Sequence, residues 1–275
     1  MNRPVTFAFR TTAGISAAAA GFVVGAQWVL RRQAAHARAI IGDPHGEVAP
    51  DSDRTYKKRR GTPLNLLVIG DSIAAGLGSD SGSGTLGARL ARYVSKATGR
   101  AVTLRTAAVV GSETWQLADQ LDGLPPGYSA DVAIIVVGGN DVTHRIPVAE
   151  SIRHLAEAID RLRANGTEVV VGTCPDLGAL PALQQPLRSL ASRASRQLAA
   201  AQRRTAVERG AHAVTLATVA GPFFVANPHE MFSVDQFHPS AQGYKHVAKA
   251  LTPSVLVALG YADQLPFGHT SPESA

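Results

Sequence analysis

Cysteine is nearly absent: Cys174 stands alone among 275 residues, so no internal disulfide staples the chain and its stability must come from packing. The thiol has no basic neighbour in sequence and reads as a small buried apolar group near a strand end. Paired cysteines and a His-Glu-x-x-His are missing and the nine histidines are mostly scattered, so no metal centre is recognisable. Nucleotide motifs are missing as well. A dinucleotide fingerprint begun at Gly76 and Gly78 needs a glycine where Ser81 stands, and no Gly-Lys-Ser/Thr phosphate loop occurs. No cofactor is expected.

Negative charge is scarce only at the start. Residues 1–62 hold ten Lys/Arg against Asp43, Glu47, Asp51 and Asp53, which accounts for the whole net charge of +6. Beyond them lie 17 of the 27 basic and 17 of the 21 acidic residues, so the part able to fold is neutral and nucleic acid is a poor candidate partner.

Charge of either sign is missing from residues 11–30, "TTAGISAAAAGFVVGAQWVL", a run about as long as a bilayer-spanning helix yet built largely of Ala, Gly and Ser. An uncleaved anchor, a cleaved signal peptide and an amphiphilic helix without membrane role all fit it. The α-amino group, Arg3 and Arg10 before the run balance Arg31, Arg32 and Arg38 after it, which leaves orientation open. Arg31-Arg32 follows the run and is no twin-arginine signal. Residues 1–32 are read as a membrane anchor or signal segment, which places the protein at the membrane or exported to the cell envelope. Residues 33–62 lack a sustained apolar period, end in "YKKRRGTP" and read as a basic linker, its charges either solvated or touching anionic headgroups.

From Pro63 the texture becomes apolar runs of strand length alternating with longer helical periods. Strands are expected at 64–69, 102–107, 132–137, 167–173 and 212–216. Helices are expected at 84–98, 147–164, 183–209 and 240–259. Strands aliphatic on both faces and separated by helices imply an α/β fold with a parallel sheet covered on both sides, over residues 63–262, followed by a tail at 263–275. Ligands of such sheets lie beyond the carboxyl ends of the strands.

Three of these strands end in polar or glycine-rich sequence: Gly70-Asp71-Ser72, Val110-Gly111-Ser112 and Gly138-Gly139-Asn140-Asp141. A fourth polar set, "VDQFHPSAQGY", places Asp235 three residues before His238, with Pro239 next. These residue types suit acyl transfer. A serine hydroxyl attacks only when a base takes its proton, and the base needs a carboxylate on its other nitrogen. Ser72, His238 and Asp235 supply those parts, and the N–H groups of Ser72 and Gly111 with the side-chain amide of Asn140 could receive an oxyanion. Each residue alone also has a plain structural use: Asp71 and Ser72 as helix caps, Gly111 and Gly139 as turn glycines, Asn140-Asp141 as an Asx turn. Their order at successive element ends is what favours chemistry.

These blocks resemble the SGNH hydrolases, also called GDSL-type esterases and lipases, through "GDSIAAG", the region of Gly111, "GGND" and "DQFHP". The resemblance covers residues 63–259. It implies a flavodoxin-like three-layer α/β/α domain with Ser72 as nucleophile, His238 as base, Asp235 as its orienting acid, and Ser72, Gly111 and Asn140 as oxyanion hole. Asp71 and Asp141 would support the loops that carry Ser72 and Asn140, and His144 would either line the pocket or be solvated. The second block departs most, with Thr106 and Ala108 where many members carry Asn and Gly. No Gly-x-Ser-x-Gly elbow occurs, against the larger α/β-hydrolase fold. The implied activity is hydrolysis of carboxylic esters, of short- to medium-chain acyl groups or lipids, through an acyl-enzyme. Deacetylation of envelope glycans, acyl transfer to another alcohol, and a non-catalytic envelope binding module are the alternatives. The segment "CPDLGALPALQQP" either walls an acyl pocket or is a rigid connection.

Overall fold

The computed structural model describes the backbone of residues 8–42 and 48–272, with side chains described from residue 24 onward. Eleven α-helices and seven strands occur among the described residues. In chain order they are α1 (Ala8–Ile41), β1 (Thr55–Tyr56), β2 (Leu64–Gly70), α2 (Ser72–Ala75), α3 (Leu86–Thr98), β3 (Val102–Thr106), α4 (Leu117–Asp122), β4 (Val132–Val136), α5 (Gly139–His144) and α6 (Val148–Ala164). There follow β5 (Glu168–Gly172), α7 (Leu187–Glu208), β6 (His212–Val214), α8 (Leu216–Val219), α9 (Gly221–Ala226), α10 (Pro228–Met231), α11 (Ala241–Ala258) and β7 (His269–Thr270).

The sheet runs β1-β3-β2-β4-β5-β6-β7. The five central strands are parallel, and each parallel crossover carries a helix back over the sheet. Alternation along the strands divides the core in two. Leu66, Val68, Ile134 and Val136 face one side, where Leu86, Leu90 and Val94 of α3 and Tyr244, Val247 and Leu251 of α11 cover them. Leu67, Ile69, Ala133 and Ile135 face the other, against Leu117 of α4, Leu155 and Ile159 of α6 and Ala206 of α7. Each fully buried Leu or Ile contributes about 1.5–3 kcal/mol, so these two layers supply most of the driving force. The architecture is the three-layer α/β/α sandwich expected, with element boundaries within a few residues of the expected ones.

The flanks differ from expectation. Residues 33–41, read as linker, continue α1, and Thr55–Tyr56 extends the sheet antiparallel to β3. Tyr56 is buried with its hydroxyl donating to the Ser52 carbonyl, and the Asp53 carboxylate takes the Thr106 N–H at 2.9 Å. Apolar burial and satisfied edge groups hold this segment against the domain. The tail likewise returns to the sheet, His269–Thr270 pairing antiparallel with β6. The uncharged run at 11–30 lies mostly outside the residues whose side chains are described, and among the described residues no helix is long and apolar enough to cross a membrane.

Candidate active site

Gly70 ends β2 with φ +135°, and a Cβ there would sit 1.9 Å from the Val136 carbonyl oxygen of β4. Only glycine permits this approach, which lets the Asp71 N–H reach that carbonyl at 3.0 Å and turns the chain upward into α2. Asp71 caps α2, its carboxylate accepting the Ile73 N–H at 3.0 Å. Ser72 is the first residue of that helix, where a backbone N–H has no intrahelical acceptor.

His238 arrives from the opposite end of the domain. A bridge between Phe232 and Pro239 closes a tight loop, with the Ser233 N–H on the His238 carbonyl at 2.8 Å. Within it Asp235 Oδ1 accepts from the Phe237 and His238 N–H groups at 2.9 Å each and from the Ser233 hydroxyl at 2.6 Å. Its Oδ2 lies 2.6 Å from His238 Nδ1, and His238 Nε2 lies 2.9 Å from Ser72 Oγ. Ser72 and His238 are 5% and 1% exposed, so water competes little for this chain of hydrogen bonds. Gly78 provides the floor, since a Cβ there would come within 2.8 Å of His238 Cβ.

The electrostatics fit this geometry. Burial alone would raise the Asp235 carboxyl, but its hydrogen bonds from His238, Ser233 and Phe237 outweigh that and bring it down to about 2. An ionised Asp235 fixes the proton on His238 Nδ1 and leaves Nε2 to accept from Ser72. Asp71 goes the other way. Its complete burial raises it to about 6, against the lowering effect of the Ile73 N–H and of His238.

Asn140 lies in the first turn of α5, after Gly138 at φ +127°. Its Nδ2 donates to the Ser112 carbonyl at 2.9 Å, which orients the amide and leaves its second N–H for another acceptor. Asp141 is buried and takes the Thr114 N–H at 3.1 Å and the Ser151 hydroxyl at 2.6 Å, joining the loop after β3 to α5 and α6. Gly111 sits at φ +83° in that loop, one residue before the carbonyl that holds Asn140. Ser72, Asp235, His238, Asn140, Asp71 and Asp141 thus gather at one rim of the sheet. Gly111 is not in the lining of the cavity described next. His144 faces Glu113 instead of that cavity, with Nδ1 2.5 Å from the carboxylate.

Two members of the site escape sequence reasoning. Gln120 grips Gly70 with both ends of its amide, at 2.8 Å each, and reaches Ser112 Oγ at 3.2 Å, tying the first block to the second. Ser233 orients Asp235. Nothing in the local pattern marks a glutamine among helix-period apolar residues as a loop tie, whereas Ser233 two residues before Asp235 is the spacing of a short side-chain turn.

Beside Ser72 opens a cavity of about 70 Å³. Asn140 and Gly139 line it together with Ser72, and Leu177, Leu180, Leu216, Ala220, Phe224 and Val247 make much of the apolar wall. The segment 175–180 is therefore a pocket wall as well as a connection. Among the described residues no cluster of His, Cys, Asp and Glu could hold a metal ion.

The fold and the site define a hydrolase of the SGNH kind. Residues 68–246 match the GDSL-like lipase/acylhydrolase family, and the chain is 36% identical over 281 residues to the GDSL-like esterase Rv1075c of Mycobacterium tuberculosis, covering 98% of this chain and 89% of that one. The chain belongs to the GDSL-like lipase/acylhydrolase family. Solved structures agree on the fold. A lipase/acylhydrolase from Enterococcus faecalis superimposes with a TM-score of 0.56 at 21% identity, covering 74% of this chain and 99% of its own. The psychrotrophic esterase EstA from Pseudoalteromonas sp. gives 0.55 at 17% identity, over 71% of this chain and 98% of its own.

Proposed function

We propose that the protein hydrolyses carboxylic esters of short- to medium-chain acids through an acyl-enzyme on Ser72. The observation that carries this reading is the unbroken chain of hydrogen bonds from Asp235 through His238 to Ser72, ending beside an apolar cavity. As Ser72 Oγ attacks the ester carbonyl carbon, His238 Nε2 takes its proton and Asp235 stabilises the imidazolium. The carbonyl π pair moves onto oxygen, which the Ser72 N–H, the free N–H of Asn140 and the Gly111 N–H receive. Collapse expels the alcohol, protonated by His238, and leaves the acyl group on Ser72. Water, deprotonated by the same imidazole, then attacks the acyl carbon and restores the hydroxyl. The acyl chain lies in the cavity walled by Leu177, Leu180, Ala220 and Phe224.

The test is turnover of p-nitrophenyl acetate, butyrate and octanoate by the full chain and by Ser72→Ala. We expect Ser72→Ala to lose at least about a thousandfold in kcat. Retained turnover, or a serine-directed phosphonate attached to another residue, would overturn the assignment. Product analysis with added alcohol separates hydrolysis from acyl transfer.

A further inference from the structure

Part of the apolar wall of the cavity, Leu177 and Leu180 among it, belongs to a longer loop, residues 175–186, that runs from β5 to α7. Its first part is fastened from within the domain. The Leu177 N–H donates to Ser195 Oγ at 3.1 Å, and Asp176 pairs with Arg196 at 2.7 Å. Its last part is held differently. Helix α7 begins after Pro186 with no side-chain cap of its own. The missing cap comes from α1: Gln33 Oε1 accepts the Leu187 N–H at 3.2 Å, while Gln33 Nε2 donates to the Gln185 carbonyl. One amide thus bridges the peptide groups on both sides of Pro186. Four residues later on α1, Ala37 is 4% exposed in the same apolar cluster as Leu177, Leu180, Ala182 and Leu183. Leu177 and Leu180 line the cavity beside Ser72, and Pro181 lines a second groove that Asp235 also lines, so this loop borders both spaces.

We infer that Gln33 of α1 is a specificity-determining positioning residue, a brace that fixes the cavity wall and so sets which acyl chains the site takes. The inference rests on the esterase reading above. Gln33 touches no reacting group, and it lies outside the family match at residues 68–246. Removing one helix cap loosens the capped element about fivefold. Gln33→Ala should therefore let the wall yield at Leu180, which lies beyond the anchors of Asp176 and Leu177, with the gain felt by chains too long for the braced cavity.

The experiment uses the full chain and Gln33→Ala, with Ser72→Ala alongside. We expect the octanoate-to-acetate ratio of kcat/KM to rise about fivefold in Gln33→Ala, mainly through the KM for octanoate. The rate of phosphonate labelling at Ser72 should be unchanged, and amide exchange at Leu187 should quicken by a similar factor. An unchanged chain-length ratio, or unchanged exchange at Leu187, overturns the brace. Equal falls in turnover of every ester would also overturn it, since that pattern marks general damage. Activity persisting in Ser72→Ala would instead overturn the esterase reading, which keeps the two failures distinct.

Discussion

The carboxyl of Asp71 offers a test that needs no substrate. Buried between the ends of β2 and β4, it titrates near 6 in the folded protein against 3.8 for an ordinary aspartate, chiefly because burial disfavours its charge. The native state therefore binds this proton more tightly than the unfolded chain does. Its contribution to stability is fully present below about pH 4, falls as pH rises through 6, and is gone above about 7. At about 1.4 kcal/mol for each tenfold change, the difference between 3.8 and about 6 amounts to about 3 kcal/mol. Asp71→Asn removes the titration while keeping an oxygen for the Ile73 N–H. The new amide NH₂ replaces the oxygen that accepts from the Gly139 N–H, which is left without that acceptor at a cost of about 1 kcal/mol. The variant should accordingly be about 2 kcal/mol more stable than the parent at pH 8 and about 1 kcal/mol less stable at pH 4. Urea unfolding of both proteins at intervals from pH 4 to 8 measures this difference directly, and other titrating groups cancel between them. A stability difference that stays constant across that range would refute the placement of a neutralisable carboxyl at this turn.

Other expectations concern the site itself. Asn140→Ala should lower kcat on p-nitrophenyl butyrate by about two to three orders of magnitude with little change in KM; a drop below tenfold would remove Asn140 from the oxyanion site. Asp235→Asn should cost about four orders of magnitude in kcat, because the amide permits the wrong imidazole tautomer. Above pH 4 the ionised Asp235 also supports the fold, a contribution lost only as pH falls through about 2, so the parent should keep it at pH 4. Ala220→Leu, pointing three extra carbons into the cavity, should suppress octanoate hydrolysis at least tenfold while sparing acetate; parallel losses on both esters would show that the acyl chain lies elsewhere.

Much of this site could be read from the chain because its parts stand at element ends marked by local chemistry. Gly70-Asp71-Ser72 interrupts an aliphatic strand, and Asp235, His238 and Pro239 form a spacing that one tight loop can close. The five central strands were legible for a similar reason, being aliphatic on both faces between helical periods. What escaped reading depends on partners distant in sequence. Thr55–Tyr56 and His269–Thr270 are two residues long, too short for any alternation, and exist because sheet edges receive them. Gln120 and Gln33 act on backbone groups 50 and 154 positions away, and a lone polar residue carries no sign of so remote an acceptor.

The bond between His238 and Ser72 joins residues 166 positions apart in the sequence. On the proposed mechanism, chemical competence is therefore withheld until the loop that carries His238 has been made and folded. By the same mechanism a nascent polypeptide still lacking the His238 loop carries an inert alcohol and cleaves nothing until that loop has docked beside Ser72. Catalytic rate would then double as a census of correctly assembled molecules, and fragments that end before His238 should register as zero.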